Sequence, residues 1–402
     1  MAEISFKRIF HPVGQGAFFT EQLIDMESSK TLFNIVYDCG SFTNVNRRYP
    51  LETPQLLRNE IDKVFNKDNH IDLLFISHFD GDHTNGLDYL LSNSKMDSRT
   101  LAVIPFKYPL LIIVMEDDYP ELAHFIYNAV TNNNVHFVGI SGNSNDEYPK
   151  QNPIDKEDML KENEILGQKL IAFKPYNIKD IIWYYLPFML SGVDQYQNDF
   201  ITQAEKIADL NDIQSIIAKK EELKNIYKDI GKSRGKNTKI NTNTLLMLSY
   251  PASPDYCVDY ARETVCDSYF DDYYKWNRGY IKYKFSEKEH IYPGSCMYTG
   301  DTSSNTNAYW TAFNGVLCSN LTKDNHRLAL FQIPHHGSRL SNDDRIIDDN
   351  RIYAAFTNFD PDYWQKIYDP NISLQFYLQR KPLILVTNDD SFRFEESWTL
   401  IY

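Results

Sequence analysis

Apolar and polar residues fall into blocks along the chain. The blocks predict strands in both halves, with helices between them. Ile4–Phe10 reads as a strand that leads into a turn at Gly14–Gly16, and Thr31–Tyr37 as a strand that ends at Asp38-Cys39-Gly40. Thr53–Asn66 carries Leu56, Leu57, Ile61, Val64 and Phe65 on one side, the spacing of a helix. Ile71–Ser77 is a short apolar run bounded by His70 and Asp80, which predicts a buried strand, and Thr84–Leu91 opens a helix. Further strands are expected at Leu101–Pro105, Leu110–Met115 and Val135–Ile140, with a helix over Pro120–Thr131. Ser141–Asp158 is a polar loop rich in Asn, Asp, Ser and Pro. From about Lys179 to Lys232, apolar residues three and four apart predict an inserted helical piece. Thr244–Tyr250, Cys296–Thr299 and Leu328–Pro334 read as strands, and the acidic, Tyr-rich Pro251–Tyr292 as a second insertion. The expectation is an α/β fold of two sheets with helices outside them. It forms one domain over residues 1–402, with insertions at 150–240 and 251–292.

The composition narrows the class. Hydrophobic residues make up 42% of the 402, enough for a sizeable core, so the chain is not disordered. The formal net charge of −14 argues against a protein that coats duplex DNA. It leaves room for a short strand or a small phosphodiester, because metal ions or a local basic patch can supply positive charge. Cys39, Cys257, Cys266, Cys296 and Cys318 are widely spaced and form no CxxC pair, against a disulfide framework or a cysteine zinc site. Met1–Phe10 lacks an apolar signal core. The longest apolar stretches, Pro109–Met115 and Ile181–Leu190, are too short to span a bilayer. A soluble, cytoplasmic protein without membrane association is the expectation.

The chemistry concentrates at Ser77-His78-Phe79-Asp80-Gly81-Asp82-His83. Four side chains able to bind metal fall within six residues, just after the predicted buried strand. His78 and Asp80 are two apart, so in extended chain they face the same way. Asp82 and His83 follow where the chain turns into a helix, so one loop can offer two ligands to each of two ions. The bland alternative is a solvated acidic turn, but such a turn has no reason to follow a buried strand in this order. Three further segments end a strand on an acid or a histidine. Asp301, after Tyr298-Thr299-Gly300, stands at such an end, where an Asp could bridge two ions. Pro334-His335-His336-Gly337-Ser338 supplies at least one imidazole, and Asp38 can orient a ligating histidine from behind. Each has a plain alternative: a tight-turn Asp, a surface His pair, an ordinary Asp-Cys-Gly turn. His124 and His136 read as packed histidines. The basic run Lys228–Lys239 reads first as a solvated loop and second as a phosphate-steering patch.

Together these residues resemble the metallo-β-lactamase superfamily, with its H-x-H-x-D-H signature, and within it the hydrolase domain of the ComEC-type competence proteins. The likeness rests on Val13–Gly16, Ser77–His83, Thr299–Asp301 and Pro334–Ser338, in the family's order, with Asn243–Leu246 as a weaker match. It covers residues 1–115 and roughly 240–402. ComEC's membrane channel has no counterpart here. The resemblance implies an αββα four-layer sandwich. It implies that His78 and Asp80 hold one metal, that Asp82, His83 and His335 hold another, and that Asp301 bridges them. It gives His336 a role in binding substrate or replacing His335, and makes Asp82 and His336 the catalytic residues. Asp80 stands where most members have His, which favours a harder ion, so Mn²⁺ competes with Zn²⁺ as the pair of divalent cofactors. The chain departs from the family at Ala17, where Asp is common, and at Tyr368-Asp369-Pro370, the nearest counterpart of a G-H-P motif. No third histidine for the first metal can be placed. The implied activity is that of a phosphodiesterase or nuclease using a metal-bridged hydroxide, on a single strand, an end or a small nucleotide. The alternatives are a hydrolase of a lactam, lactone or thioester, and a non-catalytic binding module. The insertions are candidate docking sites for a partner protein.

Overall fold

The computed structural model describes residues 3–401 apart from 43–51, 66–68, 94, 142–152, 163, 167–170, 175–179, 190–194, 234–243, 263–267, 270–275, 278–290, 305, 322–326, 339–340, 359, 361–371, 373–374, 376–382 and 390–392. Two large mixed sheets form its centre. The first contains β1 (Glu3–Phe10), β2 (Phe18–Asp25), β3 (Thr31–Cys39), β4 (Leu73–Phe75), β5 (Leu101–Ile104), β6 (His136–Ser141), β8 (Glu164–Leu166), β12 (Cys257–Arg262) and β19 (Phe394–Ile401). The second contains β7 (Ile154–Asp155), β9 (Ile171–Phe173), β10 (Trp183–Met189), β11 (Leu245–Pro251), β15 (Ile291–Tyr298), β16 (Arg327–Gln332), β17 (Ile352–Asn358) and β18 (Leu383–Val386). A small ribbon joins β13 (Ser268–Tyr269) to β14 (Trp276–Asn277). Within the first sheet β3, β4, β5, β6 and β8 run parallel. Within the second, β15 to β18 do.

The layers follow from the two-residue period of a strand. Ile35, Tyr37, Leu73, Phe75, Leu101 and Val103 point from the first sheet at Tyr185, Met247, Tyr298 and Ala354 of the second. Phe6 stacks on Trp183 at 3.9 Å between ring centroids, and Phe10 on Phe356 at 3.8 Å. The alternate residues Val36, Leu74, Ile76, Ala102 and Ile104 face the opposite way. They pack with α1 (Gln55–Val64), α3 (Leu87–Ser92) and α4 (Pro120–Asn133); the short α2 (Gly81–Thr84) lies between α1 and α3 in the chain. On the far side of the second sheet Leu246, Leu248, Met297 and Phe331 pack against Phe313 and Leu317 of a long helix (Asn307–Asn320). Helices thus flank both sheets. Charged groups bridge the two sheets. Arg8 is fully buried, with Nε 2.9 Å from Glu21 Oε1, a short contact to Glu396, and Nη2 donating to the Gly294 carbonyl at 2.8 Å. Among the described residues no helix is long and apolar enough to cross a membrane.

Two predicted elements differ. Leu110–Met115 is not a strand but a 3-10 helix, Pro109–Met115. Leu111 to Met115 are all buried, so the run shows no alternation to separate strand from helix, and Pro109 suits a helical first position. The predicted helical piece between 150 and 240 begins as sheet: residues 154–189 supply β7 to β10. Trp183, Leu186 and Phe188 of β10 are buried, and its faces divide between the inter-sheet core and the outer helix layer, so apolar spacing there reports burial on two faces. Among the described residues of this piece, the helices besides the short α5 (Lys156–Met159) are α6 (Gln195–Ala204), α7 (Ile213–Ala218) and α8 (Lys220–Ser233).

Candidate metal centre

The carboxyl ends of β3 and β4 in one sheet and of β15 and β16 in the other meet at one place. The backbone joins them: Leu245 N donates to the Ser77 carbonyl at 2.7 Å, and His335 N to the Gly300 carbonyl at 3.0 Å. Side chains extend the joint. Gln332 Oε1 accepts from the backbone nitrogens of Thr299 (2.8 Å) and Gly300 (3.2 Å), which ties the ends of β15 and β16 together.

Asp38 organises the first half. It lies at φ 57°, a conformation costly for most residues but tolerated by Asp and Asn. Its carboxylate accepts from Ser77 N (2.6 Å), Ser77 Oγ (2.6 Å) and His83 Nδ1 (2.8 Å). Because Ser77 Oγ gives its hydrogen to Asp38, it accepts from His78 Nδ1 at 2.9 Å. On the other sheet His336 Nδ1 donates to the Asn358 carbonyl at 3.0 Å. All three imidazoles therefore carry hydrogen on Nδ1. Their Nε2 atoms are buried and have no hydrogen-bond partner.

Those Nε2 atoms point at carboxylates. His83 Nε2 lies 3.3 Å from Asp301 Oδ1; His336 Nε2 lies 3.6 Å from Asp82 Oδ2 and 3.7 Å from Asp301 Oδ1. His78 Nε2 lies 3.7 Å from Asp301 Oδ2 and 3.9 Å from Asp80 Oδ2. A lone pair facing a carboxylate is repulsive unless a proton or a cation lies between. The ionisation of the groups carries the same message. Burial works against charge on His83, but Asp301 and Asp38 raise its pKa well above the usual value, and Asp301 and Asp82 raise that of His336 against its burial. Burial, and then His83, lower the pKa of His78. Burial opposes charge on Asp301 too, yet His83, His336 and His78 hold its pKa well below the usual range.

Two overlapping groups, His78 with Asp82 and His83, and His83 with Asp301 and His336, each bring one possible ligand atom per residue within 4.8 Å of the others. Nitrogen and carboxylate donors with fixed Nδ1 partners are groups that can hold a metal ion. The residues present fit a divalent ion.

Close backbone packing holds the loop. A Cβ on Gly40 would lie 2.4 Å from the carbonyl carbon of Asp82. Gly16, at φ 146°, would put one 2.8 Å from the Asp82 carbonyl oxygen. Ala17 N donates to that oxygen at 3.2 Å. The Val13–Gly16 turn and the Asp38-Cys39-Gly40 end are thus the back wall of the Asp82–His83 turn.

Of the residues singled out in the sequence, His78, Asp82, His83, Asp301 and His336 come together, and Asp38 stands behind them. It is His336, and not His335, that faces Asp82 Oδ2 and Asp301 Oδ1 and groups with His83. The backbone explains the exchange. His335 and His336 take φ 50° and 53° in succession, which fans the two rings apart. The His335 side chain is 42% exposed, with Nδ1 2.7 Å from Ser341 Oγ and Nε2 3.6 Å from Asp301 Oδ2. Asp80 sits at the exposed lip. His124 is exposed on α4 and pairs with Asp88 at 2.8 Å, and His136 Nε2 lies 2.6 Å from the Glu162 carbonyl; neither belongs to the cluster. In the basic run, Lys228 pairs with Asp117 (2.8 Å) and Lys232 with Asp229 (2.9 Å), while Arg234, Lys236 and Lys239 lie outside the described residues, as do Asn243 and Tyr368–Pro370.

The sequence reading missed Gln332, Asn358 and Ser341, and gave Ser77 no role of its own. The position of Ser77 next to His78 was a usable signal. Asn358 holds His336 through its main-chain carbonyl, which no side-chain pattern records. No known family model matches the chain, and no curated protein does.

Proposed function

We propose that this chain is a metal-dependent hydrolase of the metallo-β-lactamase type, acting on phosphodiesters. One observation carries the reading. Three buried imidazoles, each with Nδ1 bonded, turn bare Nε2 atoms toward Asp82 and Asp301 at the meeting point of two sheets. The two-sheet architecture with flanking helices supports the family assignment, as does the placement of the centre at the carboxyl ends of parallel strands.

His83, His336, Asp82 and Asp301 would hold one ion, and His78 belongs to its immediate surroundings. A divalent ion bound there supplies Lewis acidity, which makes water a nucleophile near neutral pH and offsets charge on a phosphoryl oxygen. The protein residues do the rest. Asp38 and Ser77 fix the ring orientations of His83 and His78, so their nitrogens need no rearrangement. The Asn358 carbonyl does the same for His336. No serine or cysteine nucleophile is required, and Cys39 is unsuited to that role: burial, then Asp38, push its thiol pKa far up. The negative net charge favours a short or small substrate over bulk duplex.

Elemental analysis of the purified protein, paired with turnover of bis(p-nitrophenyl) phosphate under added Mn²⁺ or Zn²⁺, tests this reading. Bound divalent metal and turnover, with turnover abolished in Asp301→Asn, are expected. Bound metal without phosphodiester cleavage under either ion would remove the substrate class, and absence of metal would remove the hydrolase.

A further inference from the structure

We propose that Gln332 is a positioning residue of the centre: its carboxamide oxygen fixes the Thr299-Gly300-Asp301 turn, and with it the Asp301 carboxylate, against the three imidazoles. The inference rests on reading the cluster as a metal centre but not on its substrate.

The backbone ladder between β15 and β16 ends with Met297 opposite Phe331. Asp301 lies beyond that end, so strand pairing does not hold it. The Gln332 side chain takes over where the ladder stops. Its Oε1 accepts from Thr299 N at 2.8 Å and from Gly300 N at 3.2 Å, and Thr299 Oγ1 donates in return to the Gln332 carbonyl at 3.1 Å. His335 N donates to the Gly300 carbonyl at 3.0 Å. The same stitch therefore links the turn that carries Asp301 to the turn that carries His336. Thr299 is fully buried and Gln332 nearly so, so water is a poor substitute for the lost acceptor.

Gly300 explains why such a clamp is needed. It lies at φ 52°, and a Cβ on it would stand 2.7 Å from Ser77 Cβ and 2.9 Å from Thr244 Cγ2. The close approach of the two halves of the centre thus demands glycine. Glycine is also the residue least able to hold its own dihedral angles. What fixes the turn has to come from outside it, and the acceptor of the Gly300 N–H is Gln332. Asp301 follows directly. Its carboxylate meets His83 Nε2 at 3.3 Å, and His78 Nε2 and His336 Nε2 at 3.7 Å each. A rotation at Gly300 would disturb all three contacts together.

The test uses the full chain and two readouts, neither of which needs substrate. Co²⁺ binding is titrated through its visible absorption band. Amide hydrogen exchange of the metal-free protein is followed by mass spectrometry over the peptide that contains residues 299–301. Wild type is compared with Gln332→Met, which removes the acceptor, and with Gln332→Glu, which keeps an acceptor oxygen in place. Ser249→Ala is the control for general loss of stability, since it removes a different buried hydrogen bond, to Glu21 at 2.7 Å. Folding of each is checked by circular dichroism. Gln332→Met should bind Co²⁺ at least tenfold more weakly, with a changed band, and exchange the 299–301 amides at least tenfold faster. Gln332→Glu should stay within about threefold of wild type in both, and Ser249→Ala should melt lower with binding, band and local exchange unchanged. Should Gln332→Met not fold, Gln332→Asn decides in its place, because its shorter carboxamide cannot reach both amides. Wild-type affinity and band in a folded Gln332→Met protein overturn the proposal. So does a Gln332→Glu protein no better than Gln332→Met, or an equal loss in Ser249→Ala. A wild type that takes up no Co²⁺ removes the metal reading of the centre instead; the exchange readout then decides by itself whether Gln332 holds the turn, and unchanged exchange in Gln332→Met overturns that as well.

Discussion

Asp38 Oδ2 lies 2.8 Å from His83 Nδ1, and both groups are fully buried. The pair spans 45 residues and joins the end of one strand to the turn after the next. It fixes the His83 ring and lends negative charge to it, as the outer partner of a ligating histidine would. The same carboxylate also receives Ser77, and through Ser77 it orients His78. A single buried acid thus sets two of the three imidazoles.

Asp38→Asn is the most informative small change. Asn tolerates the left-handed backbone, so the turn survives. It weakens charge support for His83, and the expected result is a 10- to 100-fold loss of metal affinity, as roughly expected for an outer partner of a ligand. Titration calorimetry with Zn²⁺ reads it directly. Unchanged affinity would mean that Asp38 only shapes the turn.

Asp82→Ala and His83→Ala should abolish turnover and remove metal while the circular dichroism of the fold persists. In wild type, added Zn²⁺ or Mn²⁺ should raise the melting temperature, because an ion that binds only the folded chain stabilises it by mass action. Both variants should lose most of that rise. Full turnover retained in both would sink the site assignment.

Gly40→Ala separates packing from chemistry. Its Cβ would meet backbone atoms of Asp82 and His83 at 2.4 to 2.5 Å, so either the turn moves or the strand end does. The expected outcome is a protein that has lost metal and melts well below wild type. The cost is about 2 kcal/mol or more, since the clash is with main chain and cannot be relieved by a rotamer. Metal content and urea unfolding, measured on the same preparation, would show it. A variant that binds metal normally would mean that the turn is free to shift.

His11 predicts a pH dependence away from the centre. It is fully buried, between Glu60 (Nδ1, 3.1 Å) and Thr20 (Nε2, 2.9 Å). Burial lowers its pKa from 6.5 to about 4, with Glu60 opposing. The folded protein therefore binds fewer protons than the unfolded chain between these values. Stability contributed by neutral His11 is present in full above pH 6.5 and falls as pH drops toward about 4. From pH 7 to 5 the loss amounts to about 2 kcal/mol at 1.36 kcal/mol per unit. Urea midpoints of wild type and His11→Gln at both pH values provide the check: the variant should show a smaller difference. Equal differences would exclude His11 as the source.

Much of the centre was readable from the chain alone, because its first half is local. His78, Asp80, Asp82 and His83 lie within six residues after a buried apolar run, and strand periodicity with a tight turn suffices to bring them near one another. Strand-end positions likewise marked Asp38, Asp301 and the His335-His336 pair. Periodicity misled where residues are buried on all sides. Leu111–Met115 and Trp183–Met189 carry no polar face, so pattern could not separate a 3-10 helix from a strand or a strand from a helix.

Tertiary structure decided the rest. Adjacent histidines are equivalent in sequence. The left-handed backbone at both, held by Gly300 and by the chain after it, sends His336 to Asp82 and His335 to the other oxygen of Asp301. The hydrogen positions on the three imidazoles depend on Asp38, Ser77 and the Asn358 carbonyl. Those partners come from three separate segments, and one of them is a main-chain atom. The sequence alone determined which residues can bind a metal, because side-chain chemistry and local spacing are written in it. Which nitrogen faces which oxygen was left to the docking of one sheet on the other, since that depends on packing between segments more than two hundred residues apart.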